Sequence, residues 1–180
     1  WPYLWFTGFD GLISVLSFYK EIGAVSSTES RFIWHFGINL YPVKWILYTT
    51  PEVILGLFVL GIGFMIANLN QRKDKVGLLF LLWLAVPIIR VSLPNTNIYG
   101  GVRQIMEFIP ALAILTGAGA GYLRNFIARK TINPNVIGLI IIILFTPIVI
   151  TLIKIHPNQN VYFNSLIGGL SGAKAENIPG

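Results

Sequence analysis

Four long apolar runs separated by short polar turns constrain the fold of this chain more than any other feature. A helix needs about 20 apolar residues to cross the roughly 30 Å hydrocarbon core of a bilayer. Only 11% of the 180 residues are charged, whereas soluble domains carry about a quarter. The sequence therefore predicts an all-α, polytopic integral membrane protein. The four predicted spans cover about residues 45–69, 76–89, 104–123 and 135–155.

Two spans contain features that predict how they pack. The second run is uncharged only from Val76 to Ile89, and these residues rise only about 21 Å at 1.5 Å each. Arg90 must therefore lie in the outer leaflet, extend to the interface or line a polar cavity. The third run contains Gly117-Ala118-Gly119-Ala120-Gly121, whose Gly-x-x-x-Gly spacing predicts close packing against another helix.

The distribution of basic residues predicts the orientation in the membrane. The turns 70–75 and 124–130 each carry three basic residues, whereas the loop 92–102 carries no charge. Cytoplasmic loops are enriched in lysine and arginine, so the two basic turns are expected inside the cell. Residues 1–44, the loop 92–102 and the tail 156–180 then share the outer side of the cell membrane. The net charge of +6 is explained by these turns and predicts no nucleic-acid partner.

The outer N-terminal region is predicted to contain a helix that lies on the bilayer. Leu12, Val15, Leu16 and Tyr19 follow the i, i+3, i+4, i+7 spacing of one helix face over residues 9–20. Tryptophans are enriched at membrane interfaces, and four of them flank this segment: Trp1, Trp5, Trp34 and Trp45. The chain thus divides into an outer region 1–44, a membrane region 45–155 and an outer tail 156–180.

Charged residues gather at the outer ends of the predicted spans. They are Lys44, Glu52, Arg90, Arg103, Glu107 and Lys154. A ring of interfacial cations would explain the basic members but not the two glutamates, so a shared polar mouth is the favoured interpretation. Arg103 and Glu107 are four residues apart and can pair along one helix. Alternatively, Arg103 binds a phosphate beside the exposed backbone of Gly100 and Gly101.

Several sequence motifs resemble one family of membrane enzymes. The stretch after the fourth run contains His156-Pro157, Val161-Tyr162-Phe163-Asn164 and Gly168-Gly169. It is similar to the corresponding segment of the polyprenyl-phosphate-sugar glycosyltransferases, which include protein O-mannosyltransferases and lipid A aminoarabinose transferases. Asn158 and Asn160 stand where that family has aromatic residues. Further similar stretches are Tyr41-Pro42-Val43, Thr49-Thr50-Pro51 and Tyr99-Gly100-Gly101-Val102-Arg103-Gln104, followed by Phe108 and Pro110.

The resemblance implies that this chain is part of a larger glycosyltransferase of the multi-helix C-type fold. Such an enzyme moves a sugar from a polyprenyl phosphate to an acceptor at the outer membrane face. Its catalytic acid residues belong to an outer loop that nothing here matches, so no catalytic residue and no cofactor are assigned. Gly100 and Gln104 replace the family's Asp and His, so the metal-binding or acid–base role of those positions is not carried over to this chain. Substrate binding is assigned first to Arg103, then to Lys44 and Arg90, with Tyr99, Glu107 and His35 as further candidates.

Two other classes of function fit the same sequence. A transporter or lipid flippase would also use intramembrane charges and kinked helices, but would place charges near mid-membrane in an inverted repeat. A non-catalytic assembly subunit is favoured if the chain is complete. The sequence begins without methionine and ends directly after a patterned segment, which favours a piece of a longer protein. With no cysteine and two histidines, it predicts no metal site.

Overall fold

The computed structural model describes residues 2–25, 32–72, 75–94, 96, 101–129, 134–176 and 178. Over these residues the chain is all-α, as predicted, and its β-structure is limited to a bridge between Ile33 and Asn39. Short 3₁₀ helices occupy His35–Gly37, Gly101–Ile105, Gln159–Val161 and Ser165–Ile167. The α-helices are α1 (Pro2–Val25), α2 (Tyr41–Thr49), α3 (Glu52–Arg72), α4 (Lys75–Ser92), α5 (Phe108–Ala128), α6 (Pro134–Lys154) and α7 (Gly169–Ala175).

Two of the described helical stretches, Glu52–Leu69 and Lys75–Ser92, are long and apolar enough to cross a membrane. The first predicted run, 45–69, is divided between two helices. Pro51 disfavours the helical conformation of the residue before it, and Thr50 accordingly adopts an extended backbone with φ −92° and ψ 131°. Glu52 then begins α3, where its negative charge is favourable at a helix N-terminus.

The third predicted run also begins differently in the structure. Residues 101–105 form a 3₁₀ helix and α5 starts only at Phe108, whereas the apolar pattern predicted a continuous helix from Gln104. The predicted start of the third helix was therefore wrong by about one helical turn. The fourth predicted run, 135–155, corresponds closely to α6.

Helices α3 and α5 cross in direct backbone contact at two glycines. A Cβ atom on Gly119 would lie 1.9 Å from the carbonyl oxygen of Leu57, and one on Gly61 would lie 1.8 Å from that of Leu115. Gly117 and Gly121 have nothing within 4 Å of the same position. The prediction of close helix packing at this stretch is confirmed for Gly119. The two residues that define the Gly-x-x-x-Gly spacing do not make the contact, because they lie on other faces of α5.

Helix α1 covers the predicted helix 9–20 and extends beyond both of its ends. Gly8 interrupts the helical backbone with φ 57° and ψ −136°. The exposed apolar residues of α1 include Phe6, Phe9, Leu12, Ile13, Leu16 and Phe18. Ser14 and Ser17 donate to the carbonyls of Asp10 and Ile13 within the helix. Trp1 and the side chains of Trp5 and Tyr19 lie outside the described part of the chain.

Candidate functional site at the aromatic end

A cluster of buried aromatic side chains holds one end of the helices together. We call this end, where Phe32, Tyr41, Trp45 and Phe163 lie, the aromatic end. Tyr41 packs edge-on against Phe32 with ring centroids 5.0 Å apart, and Trp45 lies 5.7 Å from both Tyr41 and Phe163. The cluster continues into the end of α4, the start of α5 and the C-terminal segment through Val91, Ile105, Phe108, Leu112 and Ala173. Segments far apart in the sequence therefore form one small core.

Backbone hydrogen bonds join the same segments. The amide of Asn39 donates to Ser92 O over 3.0 Å, and the amide of Asn164 donates to Tyr48 O over 2.8 Å. The sequence predicted that residues 1–44, the loop 92–102 and the tail 156–180 share the outer side of a membrane. In the described residues, parts of these three regions pack together at one end of the helices.

Asn164 is the residue that attaches the C-terminal segment to α2. It is only 1% exposed, and its Nδ2 donates to Leu47 O over 2.6 Å and to Thr50 O over 2.7 Å. The last carbonyls of a helix have no partner within the helix. Asn164 satisfies two carbonyls at the end of α2 and so links residues more than 110 positions apart. Asn164 belongs to the motif Val161-Tyr162-Phe163-Asn164, but no sequence pattern predicts this contact.

Glu52 is bound by the residue that follows Asn164. Its Oε1 accepts from the Ser165 amide over 2.5 Å and from the Ser165 hydroxyl over 2.6 Å. These residues line a cavity of about 400 Å³ together with Thr151 and Tyr162. Burial raises the pKa of the Tyr162 phenol, and the Glu52 carboxylate raises it further because a second negative charge is unfavourable there. The Tyr162 phenol therefore stays uncharged at physiological pH.

Arg90 binds the segment that leads into α5. Its Nη2 lies 3.7 Å from Glu107 Oε1 and donates to Gln104 O over 3.2 Å. Arg90 thus lies near Glu107, as predicted, but the described protein does not shelter its side chain as the short apolar run had led us to expect. The two side chains are 58% and 57% exposed in the described structure, and an exposed ion pair contributes at most about 1 kcal/mol to stability. The pair orients the charges more than it stabilises the fold.

The predicted pair of Arg103 with Glu107 is absent from the described structure. An i, i+4 pair needs both residues on one continuous α-helix, but Arg103 lies in the 3₁₀ helix and Glu107 precedes α5. Glu107 contacts Arg90 instead. Arg103 is exposed, and no carboxylate of a described residue lies within ion-pair distance of it.

The other predicted binding residues are only partly described. The Lys44 ammonium lies over the Phe32 ring, 5.3 Å from its centroid, which is the geometry of a cation–π contact. Helix α2 packs against α4 and against the 3₁₀ helix that carries Arg103, so Lys44, Arg90 and Arg103 stand on elements in mutual contact. His35 begins a 3₁₀ helix. Its side chain and the whole of Tyr99 lie outside the described residues.

The two glutamates at the aromatic end thus contact different partners. Glu52 binds Ser165, whereas Glu107 binds Arg90. Within the described residues no group of three or more histidines, cysteines or carboxylates is placed to hold a metal ion. Comparison of the chain with protein-family models, with curated proteins and with solved structures found no match.

Proposed function

We propose that this chain is a membrane portion of a glycosyltransferase that takes its sugar from a polyprenyl phosphate at the outer face of the cell membrane. In this proposal α3, α4, α5 and α6 all cross the bilayer. Three of them have 21 residues and α4 has 18, which corresponds to about 27–32 Å of helix. This length matches the roughly 30 Å hydrocarbon core.

The proposal rests on the observation that Arg103 has no carboxylate partner among the described residues. Because Glu107 pairs with Arg90, its charge does not neutralise Arg103. The Arg103 guanidinium therefore remains available to an anionic ligand, and its planar donors match a phosphate. Lys44 and Arg90 stand on elements that pack against the same region. Lys44 supplies further positive charge for a polyprenyl phosphate headgroup, whereas the charge of Arg90 is balanced by Glu107.

In the proposed reaction these residues bind the leaving group, which is the polyprenyl phosphate. A nucleophilic atom of the acceptor bonds to the anomeric carbon, the bond from that carbon to the phosphate oxygen breaks, and the polyprenyl phosphate leaves with the electron pair. Arg103 stabilises the negative charge that grows on the phosphate. The carboxylate that acts as the base and takes the acceptor's proton lies outside this chain. Glu52 is not assigned to that role.

The functional prediction concerns Arg103. In the full-length enzyme, Arg103→Ala should lower turnover of the lipid-linked donor at least about tenfold, because a charge-assisted hydrogen bond contributes about 1.5–3 kcal/mol. Arg103→Lys should recover only part of the loss, since lysine lacks the two-pronged contact. Arg124→Ala is the matched control, because Arg124 is also exposed but lies near the far end of α5. Wild-type turnover by Arg103→Ala would refute the phosphate assignment.

The topology is tested separately by cysteine labelling. The sequence has no cysteine, so single cysteines can be introduced at the exposed residues Leu93, Ser171 and Lys75. Leu93→Cys and Ser171→Cys should react with an impermeant maleimide in intact cells, because the aromatic end faces outward. Lys75→Cys should react only after permeabilisation. Labelling of Lys75→Cys alone in intact cells would reverse the proposed orientation.

A further inference from the structure

A second cavity lies at the opposite end of α3 and α5, far from the residues assigned to sugar transfer. It has a volume of about 340 Å³ and is lined by Phe64, Ala118, Gly121, Tyr122, Asn125, Phe126 and Arg129. Phe126 follows Phe108 by 18 residues along α5, which is a rise of about 27 Å. The cavity and the aromatic end are therefore separated by nearly the thickness of a bilayer core.

This second cavity is a groove on the surface of α5, and its shape suits a hydrocarbon chain. Its walls are aromatic, with the Tyr122 ring 5.4 Å from that of Phe64 and 6.5 Å from that of Phe126. Between these aromatic rings the surface of α5 is recessed, because Gly121 has no side chain. A Cβ atom at Gly121 would meet nothing within 4 Å. The groove thus offers an apolar trough along α5 that is open to the surroundings.

The polar end of the groove suits an anion. Arg129 and Asn125 both line it and are both exposed. No carboxylate of a described residue lies within ion-pair distance of Arg129. The sequence around this end contains five further basic residues and one acidic residue: Arg72, Lys73, Lys75, Arg124 and Lys130, with Asp74. A basic pocket beside an apolar surface at the cytoplasmic membrane face attracts the headgroup of an anionic lipid.

We infer that this groove binds an anionic phospholipid of the cytoplasmic leaflet. The lipid phosphate is held by Arg129 and Asn125, and one acyl chain lies over Gly121 between Tyr122, Phe126 and Phe64. The inference rests on the proposed membrane orientation and not on glycosyl transfer. Its ligand differs from the sugar donor both in the leaflet it occupies and in the end of the helices it contacts.

The test measures lipid binding by native mass spectrometry of the full-length protein, with phosphatidylglycerol or phosphatidylcholine added to the detergent. The wild type should retain phosphatidylglycerol in preference to phosphatidylcholine. Arg129→Gln should reduce phosphatidylglycerol binding about fivefold, the effect of one basic residue at an anionic surface. Gly121→Leu should reduce binding of both lipids, because its side chain fills the trough.

Two control variants separate this site from general charge and general packing. Arg124→Gln removes an exposed arginine that does not line the groove, and Gly117→Leu adds the same side chain at another open glycine of α5. Gly117→Leu should bind phosphatidylglycerol as the wild type does. Arg124→Gln should lose clearly less binding than Arg129→Gln, because it removes general positive charge but no contact in the groove. Equal losses in Arg124→Gln and Arg129→Gln, or no lipid preference in the wild type, would overturn the inference. A protein that alkaline carbonate releases from membranes would instead refute the membrane topology itself.

Discussion

Gly119→Ala should prevent α3 and α5 from packing and should greatly reduce the amount of folded protein. The added methyl group would lie 1.9 Å from Leu57 O, and 2.9 Å from its carbonyl carbon. Both atoms belong to backbone, so no side-chain rotation relieves the overlap and the helices must separate. Overpacking in a well-packed core costs about 1–3 kcal/mol and occasionally more. We expect at least about 3 kcal/mol here, measured as a lower thermal unfolding temperature in detergent.

Gly117→Ala is the matched control for this prediction. It adds the same methyl group two residues earlier on the same helix, where nothing lies within 4 Å. Alanine is about 1 kcal/mol more favourable than glycine inside a helix, so this variant should be as stable as the wild type or slightly more stable. Equal unfolding temperatures for the two variants would show that α3 and α5 do not cross at Gly119.

Asn164→Asp should detach the C-terminal segment from α2. Aspartate has nearly the same shape, but when ionised it has no donor for the carbonyls of Leu47 and Thr50. A carbonyl that loses its partner at this half-buried helix end costs up to about 1–3 kcal/mol. The carboxylate at position 164 would itself be buried beside two carbonyl oxygens. The expected loss of stability is therefore about 3 kcal/mol or more, again measured by thermal unfolding in detergent.

A local measurement distinguishes detachment of the segment from general unfolding. A reporter cysteine at Ser171 should react faster with maleimide in Asn164→Asp than in the otherwise wild-type protein. Asn158→Asp is the control, because Asn158 is exposed and its side chain makes no capping bond. An Asn164→Asp variant with the stability and labelling rate of Asn158→Asp would show that the hydrogen bonds from Asn164 do not contribute to stability or to attachment of the C-terminal segment.

The helices could be predicted from the sequence because their determinants are local. The runs of apolar residues predicted helical segments that correspond to α3–α6, and Pro51 explains the break that divides α2 from α3. The spacing around Gly119 predicted close packing of α5. The choice of Gly119 over Gly117 depends on how α3 is rotated against α5, and the pattern of one helix does not contain that information.

The arrangement of charges was predicted less well, because it depends on contacts between distant residues. Arg103 and Glu107 have the spacing of a helical ion pair, but a helix that begins at Phe108 cannot carry it. The partner of Glu52 is Ser165, which follows it by 113 residues. No local pattern predicts such a contact. The satisfaction of Arg90 could be anticipated, since a guanidinium in a short apolar run requires polar neighbours.

The cap that Asn164 provides has a consequence for how the protein is made. A ribosome produces α2 long before it reaches residue 164, so the carbonyls of Leu47 and Thr50 spend that interval without their final partner. Domains fold as units during synthesis at about 5–20 residues per second, and more than 110 residues correspond to roughly 6–22 seconds. During this time water or other polar groups must solvate the end of α2. Completion of the aromatic end therefore follows the synthesis of α2 and waits for the segment that contains Asn164.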